Sequence, residues 1–262
     1  MTTSPARRAF ALALLAAAPL AAQEAPAPIQ DNSFLIEEAY NQEAGVVQHI
    51  STFSRDPRGG DWGYAFTQEW PLFGQRHQLS YTVPLNHASD VGATGLGDAS
   101  VHYRYQLVGD GRTKVAVAPR LSALLPTGDD DRGLGSGRAG VQGNLPVSVV
   151  LAPGLVAHTN AGLTWLASGN GLGDETIVNL GQSAVWLAHP RLNLLLEAVF
   201  TGQPGDGEAE TFFVSPGVRA AFDVAGAQVV PGVAVPIGVG ASEGERSVFL
   251  YLSIEHPFAR RR

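Results

Sequence analysis

Few residues in this sequence have the types and spacing that do chemistry. The run Asp129-Asp130-Asp131 clusters carboxylates of the kind that hold Ca²⁺. It lacks the spaced ligands and distal glutamate of an EF-hand loop, so it reads as a solvated loop. Gly133-Leu134-Gly135-Ser136-Gly137 has neither the lysine nor the following helical pattern of a phosphate-binding loop, and its glycines read as turn residues. The 7 histidines show no His-x-x-x-His spacing, and with 0 cysteines there is no thiolate ligand, disulfide or cysteine nucleophile. One arrangement does invite a catalytic reading. His158 and Asn160 share a face of an alternating stretch, and membrane hydrolases use serine, histidine and asparagine, or aspartate and histidine, on strands. No His-x-Ser signature accompanies them, so the pair reads as polar wall. The sequence therefore points to no catalytic residue, no metal and no cofactor.

What must position such side chains is a set of strands. Charged residues make up 16% of the 262, against roughly 25% in an ordinary soluble domain. Hydrophobic residues reach 45%, yet beyond residue 22 no apolar run approaches the roughly 20 needed for a membrane-spanning helix. The apolar content is instead spread regularly, as in a β-barrel where every second residue faces lipid. A net charge of −7 argues against nucleic acid as a partner.

The amino terminus, 1–22, reads as a secretory signal: Arg7 and Arg8 precede an alanine–leucine stretch from Ala9 to Ala18, and small Ala21 and Ala22 follow. Arg7-Arg8-Ala9-Phe10 has some likeness to a twin-arginine signal, but that route exports folded cargo, and a barrel stays unfolded until it reaches its membrane. Residues 23–44 form a leader. Within it, 34–43 mixes apolar and acidic residues and either folds inward as a plug, with Glu37, Glu38 or Glu43 meeting lumen arginines, or stays in the periplasm.

From 45 to 258 the chain repeats strand-length segments separated by Gly, Asp, Pro or Asn. Twelve strands are expected near 45–54, 62–72, 76–87, 98–108, 113–125, 137–149, 155–166, 175–187, 192–202, 210–223, 227–238 and 246–258. Several alternate clearly. Leu79, Tyr81, Val83 and Leu85 oppose Gln78, Ser80 and Thr82; Leu194 and Leu196 oppose Asn193 and Glu197. The first and eighth alternate poorly, which leaves their faces open. One set of turns is short, including Phe73-Gly74-Gln75, Ala152-Pro153-Gly154 and Ala225-Gly226. The opposite connections, 88–97, 126–136 and 203–209, are longer. That asymmetry belongs to outer-membrane barrels, and an even strand count returns both termini to the periplasm. Trp62, Trp70, Trp165 and Trp186 lie near strand ends, where interfacial aromatics gather. The last strand ends in Phe258, an aromatic end of the kind the outer-membrane assembly machinery reads, although a basic tail at 259–262 follows it.

Alternation turns a polar set inward: Glu69, Ser80, Thr82, His102, Arg104, Arg120, Gln142, Asn144, His158, Asn160, Asn193, Glu197, Arg219 and Glu255. Buried charges cost several kcal/mol unless paired or wet, so these residues either line water or bridge a filled lumen. Twelve strands enclose more than an eight-stranded barrel, whose side chains fill it.

Three stretches carry a family resemblance: Gly95-Leu96-Gly97-Asp98 leading into Ser100-Val101-His102-Tyr103-Arg104-Tyr105; Pro119 to Asp129 with its Leu125-Pro126-Thr127-Gly128-Asp129 string; and Ser33 to Glu43 before the first strand. Over roughly 33–258 the chain resembles the family of the MetA pathway of phenol degradation, a group of outer-membrane transporters. The resemblance implies a membrane barrel that passes small, aromatic or apolar compounds, and it brings no catalytic residues. The expectation is an all-β, up-and-down transmembrane barrel in the outer membrane, acting as a channel or passive transporter for a small-molecule solute. The alternative is a structural or adhesive barrel that works through its external loops.

Overall fold

The computed structural model describes residues 31–169, 171–204 and 206–258, the last without the side chains of 206–209. The expected signal at 1–22, the start of the leader and the tail 259–262 lie outside the described residues.

Alternation and turn chemistry produce one continuous antiparallel sheet that closes on itself into a 12-strand barrel. Several staves are built from two shorter strands. In chain order they are β1 (Val46–Arg55), β2 (Trp62–Leu72), β3 (His77–Ala88), β4 (Ala93–Leu96) with β5 (Ser100–Tyr105), and β6 (Val115–Val117) with β7 (Arg120–Leu124). Then come β8 (Gly140–Ala152), β9 (Leu155–Leu166), β10 (Glu175–His189) and β11 (Leu192–Gln203). The last three are β12 (Asp206–Ala220) with β13 (Phe222–Val224), β14 (Ala227–Ala234) with β15 (Ile237–Gly238), and β16 (Val248–Pro257). The first and last staves pair along ten residues, from Val46↔Pro257 to Arg55↔Val248, and this contact seals the ring. No sheet edge is left for lipid to meet, which is the condition for strands to cross a bilayer.

The outer surface is an apolar belt. Leu121, Leu145, Leu163, Leu180 and Leu196 point outward and are among the exposed large hydrophobics. All four tryptophans also lie on the outer face. Trp62 stacks on His87 at one end, with Trp165 exposed at that same end; Trp70 packs on Tyr81 and Trp186 is exposed at the other. Amphipathic rings at both rims are the girdles of a membrane barrel.

At the short-turn end, Phe73 and Ala225 adopt φ of 55° and 51°, each followed by a glycine at 106° and 85°. Two successive left-handed residues match the twist of tight hairpins, which is why glycine follows in both. The opposite end differs from the sequence expectation at two connections. Half of the segment 88–97 is strand: β4 pairs with the end of β3, leaving a turn at 89–92. In the region 203–209, strand already resumes at Asp206, which pairs with Gln203. These strand ends stand beyond the apolar belt, so no lipid-facing alternation marks them in the sequence. The connection 126–136 is a true loop, with a 3₁₀ turn at Asp130–Arg132.

Two family motifs meet under that loop. The Asp98 carboxylate accepts the Gly128 N–H at 2.9 Å and the Ser136 N–H and hydroxyl at 2.6 and 2.7 Å. Burial would raise its pKa, but these donors outweigh burial and lower it. Thr127 donates to the Gly97 carbonyl at 2.8 Å, and Asn86 Nδ2 donates to the Leu134 carbonyl at 3.0 Å.

Candidate functional site: a filled lumen

Inside the barrel lies the segment from Asp31 to the turn before β1. It crosses the lumen with bends at 34–36 and 39, and side chains from several strands receive its backbone. The N–H groups of Leu35, Glu37, Ala39 and Asn41 donate to Glu197 Oε1, Asn160 Oδ1, Ser148 Oγ and Gln106 Oε1, at 3.0, 2.9, 2.8 and 2.8 Å. These acceptors stand on β11, β9, β8 and just past β5. Every second amide is therefore satisfied by a wall side chain, as if the segment were a strand paired with side chains. Its carbonyls are met too: Asn160 Nδ2 donates to Glu37 O at 2.8 Å and Gln106 Nε2 to Ala39 O at 2.8 Å.

Charged groups fix the register. Arg104 donates to the Tyr40 carbonyl at 2.6 Å and to Asn41 Oδ1 at 2.8 Å, and pairs with Glu37 at 3.7 Å and Glu69 at 3.8 Å. Arg120 pairs closely with Glu37 and donates to Gln142 at 2.6 Å. Arg219, which is 1% exposed, donates to Glu38 Oε1 at 3.1 Å and to the Asn32 carbonyl at 2.7 Å. Asn193, with its carboxamide oxygen turned to accept, receives Arg219 Nε at 3.2 Å. Burial pushes the Glu38 carboxyl up to about 7 despite Arg219. Glu43 is exposed at the turn into β1, where its carbonyl accepts the Val46 N–H at 3.0 Å.

Apolar residues of the segment have seats in the wall. Phe34 packs against Phe249 and Tyr251, at ring separations of 5.9 and 5.2 Å, within a buried cluster that includes Ile50, Val185, Leu195 and Val230. Glycines make the room. A Cβ at Gly232 would lie 2.5 Å from Phe34 Cζ, one at Gly217 2.7 Å from Cε2, and one at Gly181 2.3 Å from Ile36 Cγ2. Ile50 and Val185 sit in the two strands whose alternation is poorest.

Glu69, Ser80, His102, Arg104, His158, Asn160, Asn193, Glu197 and Arg219 are buried; Thr82, Arg120, Gln142, Asn144 and Glu255 are partly so. Above the segment they form a hydrogen-bonded belt. Thr67, Thr82 and His102 are linked at 2.7 and 3.2 Å, and His102 Nδ1 meets Ser122 at 2.7 Å. Farther round, Gln142 donates to Thr164 at 2.8 Å and Asn179 donates to the same hydroxyl at 3.1 Å. Sequence reasoning did not single out Asp31, Gln48, Gln78, Gln106, Ser148 or Tyr251. Inward parity was the available signal for the five on or beside strands, whereas Asp31 precedes the first strand and has none; that the wall residues hold a peptide segment was not visible.

Cavities remain on both sides of the segment. Toward the long loops, one of about 260 Å³ has Leu35, Ile36 and Glu37 as its floor and Arg120, Gln142, Asn144 and Thr201 in its wall. An adjoining one of about 170 Å³ adds Thr52, Thr67, Thr82 and His102. Toward the short turns, a cavity of about 280 Å³ is lined by Asp31, Glu38, Tyr40, Glu43 and Glu255. Among the described residues no three histidine or acidic groups converge to hold a metal ion.

A closed antiparallel barrel with an apolar belt, aromatic rims and a polar, partly filled lumen has the architecture of a membrane β-barrel. The chain belongs to the family described as "Putative MetA-pathway of phenol degradation", whose model matches residues 26–246. Its fold is similar to that of an outer-membrane channel from Pseudomonas putida F1, with 14% identity, 83% of this chain and 97% of that one covered, and a TM-score of 0.60. It is also similar to the NanC porin (8% identity, 80% and 98% covered, TM-score 0.55) and to the KdgM porin in complex with disordered oligogalacturonate (7%, 82% and 99%, 0.51). No curated protein matches the sequence.

Proposed function

We propose that this protein is an outer-membrane channel for small solutes in which residues 31–44 act as a plug that narrows the lumen. The carrying observation is the segment itself: alternate amides, the Glu37 and Glu38 carboxylates and the Phe34 ring are received by wall groups, yet cavities persist above and below it. A purely structural barrel has no need of a matched lumen segment with solvent space on both faces. In this reading both termini are periplasmic, Phe258 is offered to the outer-membrane assembly machinery, and the apolar belt meets outer-membrane lipid. The floor of Leu35 and Ile36 beneath a wall of threonine, asparagine and glutamine suits small solutes that join an apolar body to a hydroxyl, in keeping with the family's description.

Catalysis is not part of the proposal. Ser148, His158 and Glu38 do line up, with Oγ to Nδ1 at 2.7 Å and Nε2 to Oε1 at 3.5 Å. Ser148, however, is fully buried and its Oγ accepts the Ala39 N–H. A nucleophile needs reach to a substrate, so we read this trio as a docking node.

Liposome swelling with the refolded protein tests the reading. Phenol-sized hydroxylated solutes should enter faster than oligosaccharides, and liposomes holding correctly folded barrels that swell with no small solute would refute a channel.

A further inference from the structure

Two imidazoles meet on the outer wall, at the seam that closes the barrel. His49 on β1 stands between Gln48 and Ile50, which are buried toward the lumen, and so faces outward. His256 on β16 follows the lumen-facing Glu255 and faces outward too. The two lie 207 positions apart in the chain and meet only because the first and last staves pair. Their Nε2 atoms are 3.1 Å apart, with ring centroids at 5.2 Å and planes 17° apart. Two imidazoles on one tetrahedral Zn²⁺, each bound at about 2 Å, hold their nitrogens about 3.3 Å apart, so this pair needs little opening to chelate.

Each ring is also held from behind. Gln68 Nε2 donates to His49 Nδ1 at 3.1 Å while its Oε1 accepts the Tyr81 hydroxyl at 2.9 Å, and Phe66 stacks on the His49 ring. His256 Nδ1 faces the Pro257 carbonyl at 3.3 Å. A carboxamide or carbonyl behind Nδ1 is the support that orients a metal-bound imidazole and leaves Nε2 for the ion. In the hydrogen-bonded pair His49 carries its proton on Nε2. To ligate, it shifts that proton to Nδ1 and Gln68 turns its oxygen toward it; His256 needs no change. Val47 pairs with His256, and the adjacent Gln48 pairs with Glu69, which sets His256 at the level of Trp70 in the aromatic rim. Water reaches that level and supplies the remaining ligands. The ten-residue backbone ladder already seals the seam, so closure alone does not call for two imidazoles there.

We propose that His49 and His256 together bind a divalent transition-metal ion of the Zn²⁺ type, a staple between the first and last strands. Imidazole nitrogen selects such an ion over Mg²⁺ and Ca²⁺, which take oxygen ligands. The ligands converge only in the closed barrel, so the ion binds the folded state and stabilises it by mass action. The site lies on the outer wall and does not depend on whether the lumen conducts.

The test is a calorimetric titration of Zn²⁺ into the refolded barrel, prepared without a polyhistidine tag, in detergent micelles. One saturable site is expected, lost in His49→Ala and in His256→Ala. It should survive in His77→Ala, whose imidazole bonds Tyr103 on the same wall, and Mg²⁺ should not compete. Zn²⁺ should also raise the unfolding temperature of the native barrel and of His77→Ala alone. His49→Gln and His256→Gln keep a hydrogen-bonding side chain on the wall and decide the matter if the alanine variants fail to refold. Absence of saturable Zn²⁺ binding by the folded native barrel, or binding retained when either histidine is replaced, overturns the proposal.

Discussion

At the scale of single residues, the strongest constraint is the fit between segment side chains and wall glycines. Phe34 occupies space that any Cβ at Gly232 or Gly217 would claim. Gly232→Ala should therefore displace the segment while leaving the barrel closed, since the substitution lies on the inner face of a paired strand. Phe34→Ala removes the same contact from the other side, at about 3–5 kcal/mol for a well-packed aromatic. Both variants should conduct more than the native chain in planar bilayers; native-like current in both would mean that Phe34 does not hold the segment. Glu38 supplies a pH dependence whose sign is fixed. Its carboxyl stands at about 7 when docked, against an ordinary 4.5, so the docked state binds more protons between those values. Docking is then strongest in acid and weakens as pH rises through about 7. Current should be lower at pH 5 than at pH 8, and Glu38→Gln should flatten the difference. A current that rises on acidification would contradict the assignment. None of these pairings was legible in the sequence. Glycines 181, 217 and 232 look like ordinary weak points in strands, because their partners lie some 145 or more positions away and meet them only across the lumen.

At the scale of elements, the staves were legible and their extensions were not. Strands crossing lipid must alternate, and the pattern of Leu192, Leu194 and Leu196 against Asn193 and Glu197 carries straight into β11. Beyond the lipid belt that requirement lapses. Ala93-Thr94-Gly95-Leu96 and the start of β12 at Asp206 show little alternation, which is why these two strand segments read as loops. Poor alternation in the first and eighth strands has the opposite origin: Ile50 and Val185 turn apolar side chains inward to seat Phe34. The loop at 126–136 is held by Asp98, whose carboxylate links Gly128 to Ser136. Asp98→Ala should loosen this loop and expose the bond after Arg132 to trypsin in folded protein. Unchanged protection would show that Thr127 and Asn86 suffice. Because its donors lower the Asp98 pKa, the bracing is present at neutral pH and is lost as pH falls through that lowered value.

For the whole molecule, two solvents decide the placement of every residue type: lipid outside, and a polar segment with water inside. Leu180, exposed near the middle of β10, and Asn179 beside it on the inner face make a controlled pair. Leu180→Arg should cost about 2–4 kcal/mol in vesicle refolding if it faces the bilayer midplane, and Asn179→Arg clearly less; equal costs would dismiss the transmembrane placement. The central claim, a channel narrowed by its own amino-terminal segment, is tested most directly by single-channel recording of the native barrel beside one lacking residues 34–43. Small discrete steps are expected for the native chain and larger steps for the deletion, with both proteins equally well inserted. Steps of equal size would contradict the plug, and silence from both would contradict the channel.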